Sequence, residues 1–515
     1  MTTQSPYPRS PPVPRPSTPD TEAAFAEELS VVRPGLSAAY AKALPGARAA
    51  VLTRLWRALA YEPLPWIARR DADREGLSLW LTDGRRLRGP LPDPYDTSGR
   101  VAEVLLGERV FDRPEVLVRA LGVPHGDPFS AELADSVASL ALSRADRTAD
   151  GVPGPSEASW AWEQRIVDGH PYHPNCRSRP GFSVAEQLAY GPEHRTSVRL
   201  DLVAVDDALV TGEWPKWLRD GERVLLPVHP WQVAHVLDTP VQEGFSGRPL
   251  MSLRTLAVPE GPHVKTALST RLTSSVRDIS VYSVRAADTV SAFMEAMAAR
   301  LDAPLHITRT LGAATAGTPD LAAVVRESPD GYAGEGERCV PVAALPLTRL
   351  PENPAWLAEF TRLALTVGLR LLELGVALEA HGQNLLVILD GADRPVRLVY
   401  RDLADIRVSP ARLALHGIPV PELSGRNVTD DETALRRKLF GSLVGGALGA
   451  TAGSADALRT ALLSVAADLP RTADLPALLG EPIPAKALTL MRLSPGTPGD
   501  LWTLLPRPLG GPGSS

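Results

Sequence analysis

The sequence predicts an α+β protein of several domains. Its 515 residues are too many for one simple core, and a prior of about 150 residues per domain suggests three. Hydrophobic residues make up 44% and charged residues 22%, which are ordinary values for a folded globular chain. Helical periodicity dominates the N-terminal part, whereas short strand patterns alternate with helices further along. These patterns together favour a multidomain α+β class.

The N-terminal part predicts an arm followed by a helical domain. Residues 1–20 are crowded with proline and lack the apolar core of a signal peptide, so we expect a disordered arm and no export. The domain predicted over 21–150 is mostly helical, from "TEAAFAEELSVV" to "PFSAELADSVASLALSRA" at 128–145. A hairpin is expected to interrupt it around Asp83-Gly84.

A second domain is predicted over 151–345. A stretch rich in glycine and proline, 149–160, marks its boundary. Strand patterns such as "RVLLPVHP" and "PLMSLRTLAV" alternate there with helical patterns such as "TVSAFMEAMAARL". We expect a mixed region of helices and strands.

A third domain, 346–505, is predicted to begin with a long helix that ends near Gly375. Its apolar stripe has helical spacing and consists of Trp356, Phe360, Leu363, Val367, Leu371 and Leu374. After it, "NLLVILDGADRPVRLVYRD" predicts two strands joined by a tight turn at Asp390-Gly391. The stripe therefore belongs to a core rather than to a ligand site.

Composition and motif absences exclude several classes of protein. A net charge of −6 and a pI near 6.0 provide no basic footprint for nucleic acid. The uncharged run 439–455 holds five glycines and is shorter than a membrane helix, so we expect a buried helix there. A flexible tail is expected over 506–515. Two cysteines, Cys176 and Cys339, indicate a reducing, cytoplasmic compartment. The chain has no P-loop, no GxGxxG after a strand and no GxSxG motif.

The segment "GHPYHPNCRSRPGFS", 169–183, permits three interpretations. His170 and His173 could ligate a metal, although the spacing of a zinc helix is missing. The prolines alone could make the segment a rigid loop. Alternatively, Arg177 and Arg179 offer fixed charge and planar forks of donors that suit carboxylate or phosphate.

The segment 251–280 is rich in cations and hydroxyl groups. Ser252, Arg254 and Lys265 are predicted to lie on strands, interleaved with apolar residues, which argues against a solvated polar face. Several cations among many hydroxyls suit a site that holds more than one anion.

"LTSSVRD" within that segment predicts the start of a helix. Thr273 or Ser274 would cap free backbone N–H groups, and such helix starts bind phosphate. Arg277, one turn into the predicted helix, would add charge.

Two further motifs, "EAHGQN" and "YRDLADIR", follow the long helix. Asn384 and Asp402 would lie at the two mouths of the predicted strand pair, where an amide oxygen and a carboxylate suit Mg²⁺ beside nucleotide phosphates. A capped, hydrogen-bonded turn is the simpler interpretation of Gln383 or Asp405 taken singly. Glu379 and His381 are further polar side chains in this loop.

Taken together, the motifs resemble those of the siderophore synthetases that work independently of non-ribosomal peptide synthetases, the aerobactin-synthetase-like family. "GHPYHPNCRSRPGFS", "LPVHPWQ", "MSLRTL" with "KTALSTRLTSSVRDIS", "EAHGQN" and "YRDLADIR" occur in that family's order and approximate spacing. The resemblance covers roughly residues 160–410. One departure is Arg177, where many members have lysine.

The resemblance implies an enzyme that uses ATP and Mg²⁺. Family members have a cupped-hand shape with an N-terminal thumb, a middle fingers domain and a kinase-like C-terminal palm, and usually form homodimers. They activate a carboxylate, commonly of citrate, as an acyl-adenylate with release of pyrophosphate, and an amine or alcohol then captures it. Small molecules, rather than nucleic acid or a membrane, are thus the expected partners.

The resemblance also implies roles for single residues. ATP contacts would come from His170, Ser252, Arg254, Thr255, Lys265, Gln383 and Asn384. Substrate contacts would come from His170, Arg177, Arg179, Thr273, Arg277 and His381. Magnesium would be held by Glu379, Asn384 and Asp402, and catalysis would depend on Lys265, Arg277 and His381, the last as a candidate base for the amine proton.

Two other functions stay open from the residues alone. A kinase-like phosphotransferase is suggested by the pairing of Asn384 with Asp402, although "EAHGQN" lacks a catalytic Asp and no glycine-rich loop covers the phosphates. A non-catalytic sensor of citrate or nucleotide would need the same anion site.

Overall fold

The computed structural model describes residues 21–97, 100–147, 153–154, 157–259, 261–273, 275–301 and 303–507. It shows a mixed α/β chain whose sheets are built mainly from antiparallel strands. The predicted arm lies outside the described residues, as do most of the predicted tail and much of the stretch 149–160.

The N-terminal region combines helices with a five-stranded antiparallel sheet. Its elements are α1 (Thr21–Val32), α2 (Ser37–Tyr61), β1 (Ile67–Asp73), β2 (Gly76–Leu81), β3 (Arg86–Gly89), β4 (Val104–Leu106), β5 (Arg109–Phe111), α3 (Pro114–Leu121) and α4 (Gly126–Ala145). The β2–β3 pairing confirms the hairpin at Asp83-Gly84. The prediction of a mostly helical domain is wrong in its middle, where the five strands lie. The strand pattern in the sequence is weak there, because β4 and β5 are three residues long and β1 and β2 do not alternate strictly between buried and exposed positions.

The middle region contains a nine-stranded sheet. Its elements are α5 (Ser159–Glu163), α6 (Val184–Tyr190), β6 (Val198–Val205), β7 (Leu209–Gly212), β8 (Arg219–Asp220), β9 (Arg223–Val228), α7 (Pro230–His235), β10 (Gln242–Pro249), β11 (Thr255–Ala257), β12 (His263–Thr266), β13 (Leu268–Leu272), β14 (Ser275–Arg277), α8 (Val281–Arg300), β15 (Leu305–Ile307), β16 (Thr310–Thr315), β17 (Ala322–Arg326) and β18 (Arg338–Pro341). The sheet has the order β7-β16-β17-β12-β11-β10-β6-β9-β8. The strand predicted at "RVLLPVHP" and the helix predicted at "TVSAFMEAMAARL" are confirmed as β9 and α8.

A small hairpin, β13–β14, replaces the helix predicted to start at "LTSSVRD". Leu268, Thr270 and Leu272 are buried at every second position, and this strand periodicity outweighs the local capping signal. Thr273 has a φ of 59° in the turn and caps no helix. The helix begins later, at Val281, where the Ser280 hydroxyl accepts a hydrogen bond from the N–H of Ser283 at 3.1 Å.

The C-terminal region supplies most of the largest apolar core. Its elements are α9 (Pro354–Leu374), β19 (Val376–Ala377), β20 (Leu385–Leu389), β21 (Pro395–Tyr400), β22 (Arg407–Val408), α10 (Pro410–Leu415), α11 (Glu432–Ser442), α12 (Gly449–Ala452), α13 (Ala455–Val465), α14 (Leu475–Gly480), β23 (Ile483–Lys486), α15 (Leu488–Leu493) and β24 (Trp502–Leu505). The long helix is confirmed as α9, which ends at Gly375 with a φ of 103°.

A four-stranded sheet joins the middle and C-terminal regions. It has the order β15-β21-β20-β18, with β15 parallel to β21 and the other pairs antiparallel. The predicted strand pair is confirmed as β20 and β21. β15 and β18 lie before residue 345, and β20 and β21 lie after it. The boundary predicted between the second and third domains therefore divides this sheet.

The glycine-rich run 439–455 is helical and mostly buried, as predicted. A π-helical segment, Leu443–Leu448, connects α11 to α12. Glycine is needed at 449 because a Cβ there would lie 2.6 Å from the Tyr95 ring. In the part of the chain that the structure describes, no helix is long and apolar enough to span a bilayer.

Candidate active site

Asp402 and Lys265 join the C-terminal region to the middle sheet. Asp402 follows β21 with a φ of 67°, a left-handed conformation that non-glycine residues seldom adopt. Both of its carboxylate oxygens accept hydrogen bonds from Lys265 Nζ, at 2.6 and 2.8 Å. Lys265 lies on β12, so the two sequence-predicted residues are brought into direct contact.

Further buried cations surround Asp402. Arg326 is the last residue of β17 and lies opposite His263 of β12. Because Lys265 is two residues after His263 on the same strand, Arg326 and Lys265 lie on the same face of the sheet. Burial lowers the pKa of Lys265 to about 8 and those of Arg254 and Arg326 to about 10, although Asp402 raises all three. Burial also opposes the charge of Asp402, but Lys265 and Arg326 outweigh it and hold the pKa of that carboxyl well below its usual range.

Arg326 was not predicted from the sequence. In the sequence it is a single cation at the end of the apolar strand "LAAVVR". The alternation of buried and exposed residues along a strand would also permit an exposed side chain at that position. The side chain is buried, and its Nε has no partner among the described residues. A buried donor left free in this way favours a ligand or water at the site.

The turn between β10 and β11 carries the predicted phosphate contacts. Ser252 and Arg254 lie in this turn rather than on strands, because Leu253 adopts a φ of 68° and interrupts the extended chain. The Ser252 hydroxyl is buried and has no partner among the residues that the structure describes. Thr255 begins β11 directly opposite Lys265, so the turn and the lysine share one edge of the site.

Arg254 and Arg277 connect this turn to the β13–β14 hairpin. Arg254 Nη1 donates to the backbone oxygens of Arg277 and, at 2.7 Å, of Asp278. Arg277 Nη2 donates to Leu272 O at 3.1 Å. Burial lowers the pKa of Arg277, while the charge of Asp402 raises it. Arg277 therefore belongs to the same charged cluster, with its position fixed by hydrogen bonds to the hairpin backbone.

The loop between β19 and β20 holds the polar side chains of "EAHGQN" in a compact turn. The His381 N–H donates to Glu379 O at 2.9 Å, and Asn384 Nδ2 donates to the same oxygen at 3.3 Å. His381 Nδ1 accepts from the N–H of Gln383 at 3.3 Å, which assigns the ring proton of the neutral form to Nε2. Burial lowers the pKa of His381, and Glu379 only partly offsets this. In this tautomer the imidazole is a neutral donor.

Glu379 is neutralised by two lysines that were not predicted from the sequence. Its Oε1 lies 3.0 Å from Lys486 Nζ and 3.1 Å from Lys438 Nζ. Burial opposes the carboxylate charge, but these ammonium groups hold the pKa of Glu379 well below its usual range. No local motif marks either lysine, since they come from α11 and β23, far along the chain.

Asn384 and Asp402 lie side by side at the open end of the β20–β21 ladder. The Arg401 N–H donates to Asn384 O at 3.0 Å, and Asp402 is the next residue. A carboxylate beside an amide oxygen suits Mg²⁺, which takes one or two protein carboxylates and its remaining oxygens from phosphates and water. Glu379 fits that role less well because two ammonium groups already balance its charge. Among the described residues, no three His, Cys, Asp or Glu side chains form a metal-binding group.

The two histidines of 169–183 serve as turn acceptors. His170 is exposed, and its Nδ1 accepts the N–H groups of Tyr172 and His173, each at 3.1 Å. His173 is buried, and its Nδ1 accepts the N–H of Asn175 at 3.0 Å. Both Nδ1 atoms are therefore engaged by the backbone, which supports the rigid-loop interpretation over a metal site.

Arg177 and Arg179 surround a buried carboxylate in the structure. Glu193 lies 3.4 Å from Arg177 Nη1 and 2.8 Å from Arg179 Nη1. Arg177 also donates from Nε to Val167 O at 2.7 Å and from Nη2 to Ile166 O. Both guanidinium groups are buried and paired within the protein, which does not favour the prediction that they bind substrate anions.

Residues 158–346 match the model of the IucA / IucC family. That middle part of the chain belongs to the IucA/IucC family. This confirms the resemblance to aerobactin-synthetase-like enzymes that the motifs predicted. A second model, described as ferric iron reductase FhuF-like transporter, matches residues 354–496, which contain the two C-terminal motifs.

Curated relatives of this chain are named as ligases that act on citrate or on citryl compounds. The citryl-spermidine/3,4-dihydroxybenzoyl-citryl-spermidine:spermidine ligase of Bacillus anthracis is 27% identical over 312 residues, 47% of this chain and 50% of that protein. The L-2,3-diaminopropanoate–citrate ligase of Staphylococcus aureus is 24% identical over 317 residues, 48% of this chain and 54% of that protein. The chain thus spans about half the length of the curated relatives it matches.

Solved structures share the fold over nearly the whole chain. The petrobactin biosynthesis protein AsbB of Bacillus anthracis has a TM-score of 0.75 and 19% identity, and the match covers 92% of this chain and 98% of that one. ATP-bound aerobactin synthetase IucA of Klebsiella pneumoniae has a TM-score of 0.68 and 19% identity, with 90% and 99% covered. The helices and sheets of this chain therefore share the fold of these solved structures.

Proposed function

We propose that this protein is an ATP-dependent ligase that adenylates a citrate-like polycarboxylic acid and joins it to an amine or an alcohol. The supporting observation is the gathering of Lys265, Arg254, Arg326 and Arg277 around Asp402. One carboxylate does not balance so many buried cations, so the site favours added anions. A triphosphate and a carboxylate together would supply them.

The first step brings two anions together. A carboxylate oxygen of the acid attacks the α-phosphorus of ATP, the bond to the bridging oxygen breaks, and pyrophosphate leaves with the electron pair. Lys265 and Arg277 offset the repulsion during attack and stabilise the charge on the leaving group, because fixed cations in a dry site need no reorganisation. Asp402 and Asn384 would hold Mg²⁺, which when bound neutralises phosphate charge.

The second step transfers the acyl group. The nucleophile's nitrogen or oxygen attacks the acyl carbon, AMP leaves with the electron pair of the acyl–phosphate bond, and the proton of the nucleophile passes to water. His381 presents an N–H at Nε2 that can stabilise negative charge on the acyl oxygen. We therefore assign His381 as a hydrogen-bond donor in this tautomer rather than as the base.

The comparisons support this proposal in separate ways. One relative is named for joining citryl-spermidine to spermidine and another for joining citrate to L-2,3-diaminopropanoate, and a structural neighbour is titled as ATP-bound. We also propose a thumb over 21–150, fingers over 151–345 and a kinase-like palm over 346–505, arranged as a cupped hand in a homodimer. Two largely separate apolar cores, one in the N-terminal region and one in the middle sheet, favour this division, whereas the largest core contains residues from both sides of position 345.

The proposal is tested by measuring pyrophosphate release from ATP and Mg²⁺, with hydroxylamine as a trap. Citrate, succinate, 2-oxoglutarate and a citrate monoamide serve as acids. We expect AMP and pyrophosphate with one of these acids, and loss of that signal in Arg277→Ala. ADP formation would instead indicate phosphotransfer, and ATP binding without turnover would indicate a sensor.

A further inference from the structure

We propose a second carboxylate-binding subsite in a small pocket between β13 and α15. The pocket has a volume of about 140 Å³, and polar groups from Arg271, Arg492, Ser494 and Thr497 line it. Arg271 comes from the hairpin that carries Arg277, whereas the other three come from the C-terminal region. The inference rests on the proposed ligase function, because it names a group on one of the two organic substrates.

The charge of the pocket favours an anion. Arg492 is already neutralised, since its Nε donates to Glu132 Oε2 at 2.8 Å and its Nη2 contacts Oε1 of the same carboxylate. The guanidinium of Arg271 makes no ion pair or hydrogen bond within the described parts of the chain. Its planar fork of donors matches a carboxylate, and the hydroxyl groups of Ser494 and Thr497 provide further donors.

The volume restricts what the pocket can hold. It corresponds to about five water molecules at roughly 30 Å³ each, whereas sites for whole ligands occupy roughly 300–1,000 Å³. A nucleotide does not fit. One carboxylate at the end of a larger substrate does.

The pocket lies next to the candidate active site. Arg277 Nη2 donates to the backbone oxygen of Leu272, the neighbour of Arg271 in the chain. Burial first, and then the charges of Arg492 and Arg277, lower the pKa of His173 to about 3, so both guanidinium groups act on that one ring. His173 Nε2 is buried without a partner among the described residues. A substrate held by Arg277 could therefore extend a second acid group towards Arg271.

Either substrate could carry that carboxylate. The acyl donor is proposed to be a polycarboxylic acid, and the acceptor could be an amine of the amino-acid type. Two assays distinguish them with Arg271→Ala, Arg271→Lys and the control Arg300→Ala, which removes an exposed cation at the end of α8. The first assay measures the KM for citrate in hydroxylamine-trapped adenylation. The second compares amines that differ by one carboxylate: ornithine with putrescine, and lysine with cadaverine.

We expect Arg271→Ala to raise KM roughly ten- to hundredfold for the partner whose carboxylate occupies the pocket, with kcat little changed. A rise for citrate assigns the donor, and a rise for amino acids but not for their decarboxylated analogues assigns the acceptor. Arg271→Lys should recover part of the loss, and Arg300→Ala should have no effect. Unchanged KM values for citrate and every amine, or equal rises for amines with and without a carboxylate, would overturn the subsite.

Failure of the proposed function would show separately, as absence of pyrophosphate release by the wild-type protein. Calorimetric titration of wild-type protein and Arg271→Ala with citrate and with ornithine then tests the pocket without turnover. Weaker binding of either compound to the variant supports the subsite, and identical isotherms contradict it.

Discussion

Glu163 and Arg401 form an ion pair of 2.7 Å in which the side chains are 0% and 2% exposed. The second oxygen of Glu163 accepts the Met251 N–H at 2.9 Å, immediately before the turn that carries Ser252 and Arg254. Arg401 donates to Gln383 O at 3.0 Å from Nε and at 2.8 Å from Nη2. The pair therefore connects the proposed phosphate-binding turn to the loop that carries His381.

We expect Glu163→Gln to weaken ATP use beyond its effect on stability. Removing one charge of a buried pair costs about 3–5 kcal/mol of unfolding free energy, because Arg401 is left uncompensated. Loss of the connection should also let the turn and the loop shift apart. The measurements are thermal unfolding and the KM for ATP in the pyrophosphate assay.

Glu193→Gln is the matched control. Glu193 is equally buried and paired with Arg177 and Arg179, but it contacts neither the turn nor the loop. We expect a similar loss of stability with an unchanged KM for ATP. Equal changes of KM in the two variants would show that Glu163 acts only through general stability.

The pKa of Lys265 predicts how activity varies with pH. Lys265 is protonated below its pKa of about 8, and its cationic form attracts phosphate. As the pH rises through 8 the charge is lost, so kcat/KM for ATP should fall about tenfold per pH unit. Asp402 stays ionised throughout, because its pKa lies well below its usual range.

Lys265→Arg distinguishes this assignment from other titrating groups. A guanidinium keeps its charge far above pH 8, so the fall near 8 should disappear even if the rate is lower. Lys265→Met should reduce kcat about 10²–10³-fold below pH 8, and its difference from the wild-type protein should shrink as the pH rises above 8. A fall at pH 8 that persists in Lys265→Arg would contradict the assignment.

The sequence predicted those parts of the site where the local residue pattern forms the same secondary structure that the fold contains. Asn384 and Asp402 were predicted because strand periodicity places both at one end of a hairpin, and the structure confirms that neighbourhood. The helix start at Thr273 failed because capping residues also form hairpin turns, and only the buried alternation of β13 decides between them. Local pattern and fold conflict there.

Partners contributed by distant segments could not be predicted. Lys438 and Lys486 reach Glu379 from 59 and 107 residues away, and an isolated lysine in a helix or strand indicates no partner. Arg177 and Arg179 resemble anion ligands in the sequence, yet Glu193 occupies them in the fold. A buried carboxylate several residues beyond the motif was the missing information.

The Asp402–Asn384 pair predicts a specific dependence on magnesium. We expect Asp402→Asn to raise the Mg²⁺ concentration for half-maximal activity roughly 10–100-fold, because a neutral amide replaces the anionic ligand. Asp390→Asn is the control, since Asp390 lies at the turn end of the same hairpin, where it caps the backbone and pairs with Arg394. The measurement is a Mg²⁺ titration at fixed ATP. A rightward shift shared by both variants would point to hairpin stability instead.

Substitutions of His381 distinguish a role as hydrogen-bond donor from a role as the base that accepts the proton of the amine. Glutamine keeps an N–H donor near the position of Nε2 but accepts no proton at neutral pH. If His381 stabilises charge as a donor, His381→Gln should retain at least tenfold more amide formation than His381→Ala, which we expect to lose about 10²–10³-fold. If the imidazole is the base, both variants should be equally slow. Measuring hydroxylamine-trapped adenylation beside amide formation shows whether the loss falls on the first or the second step.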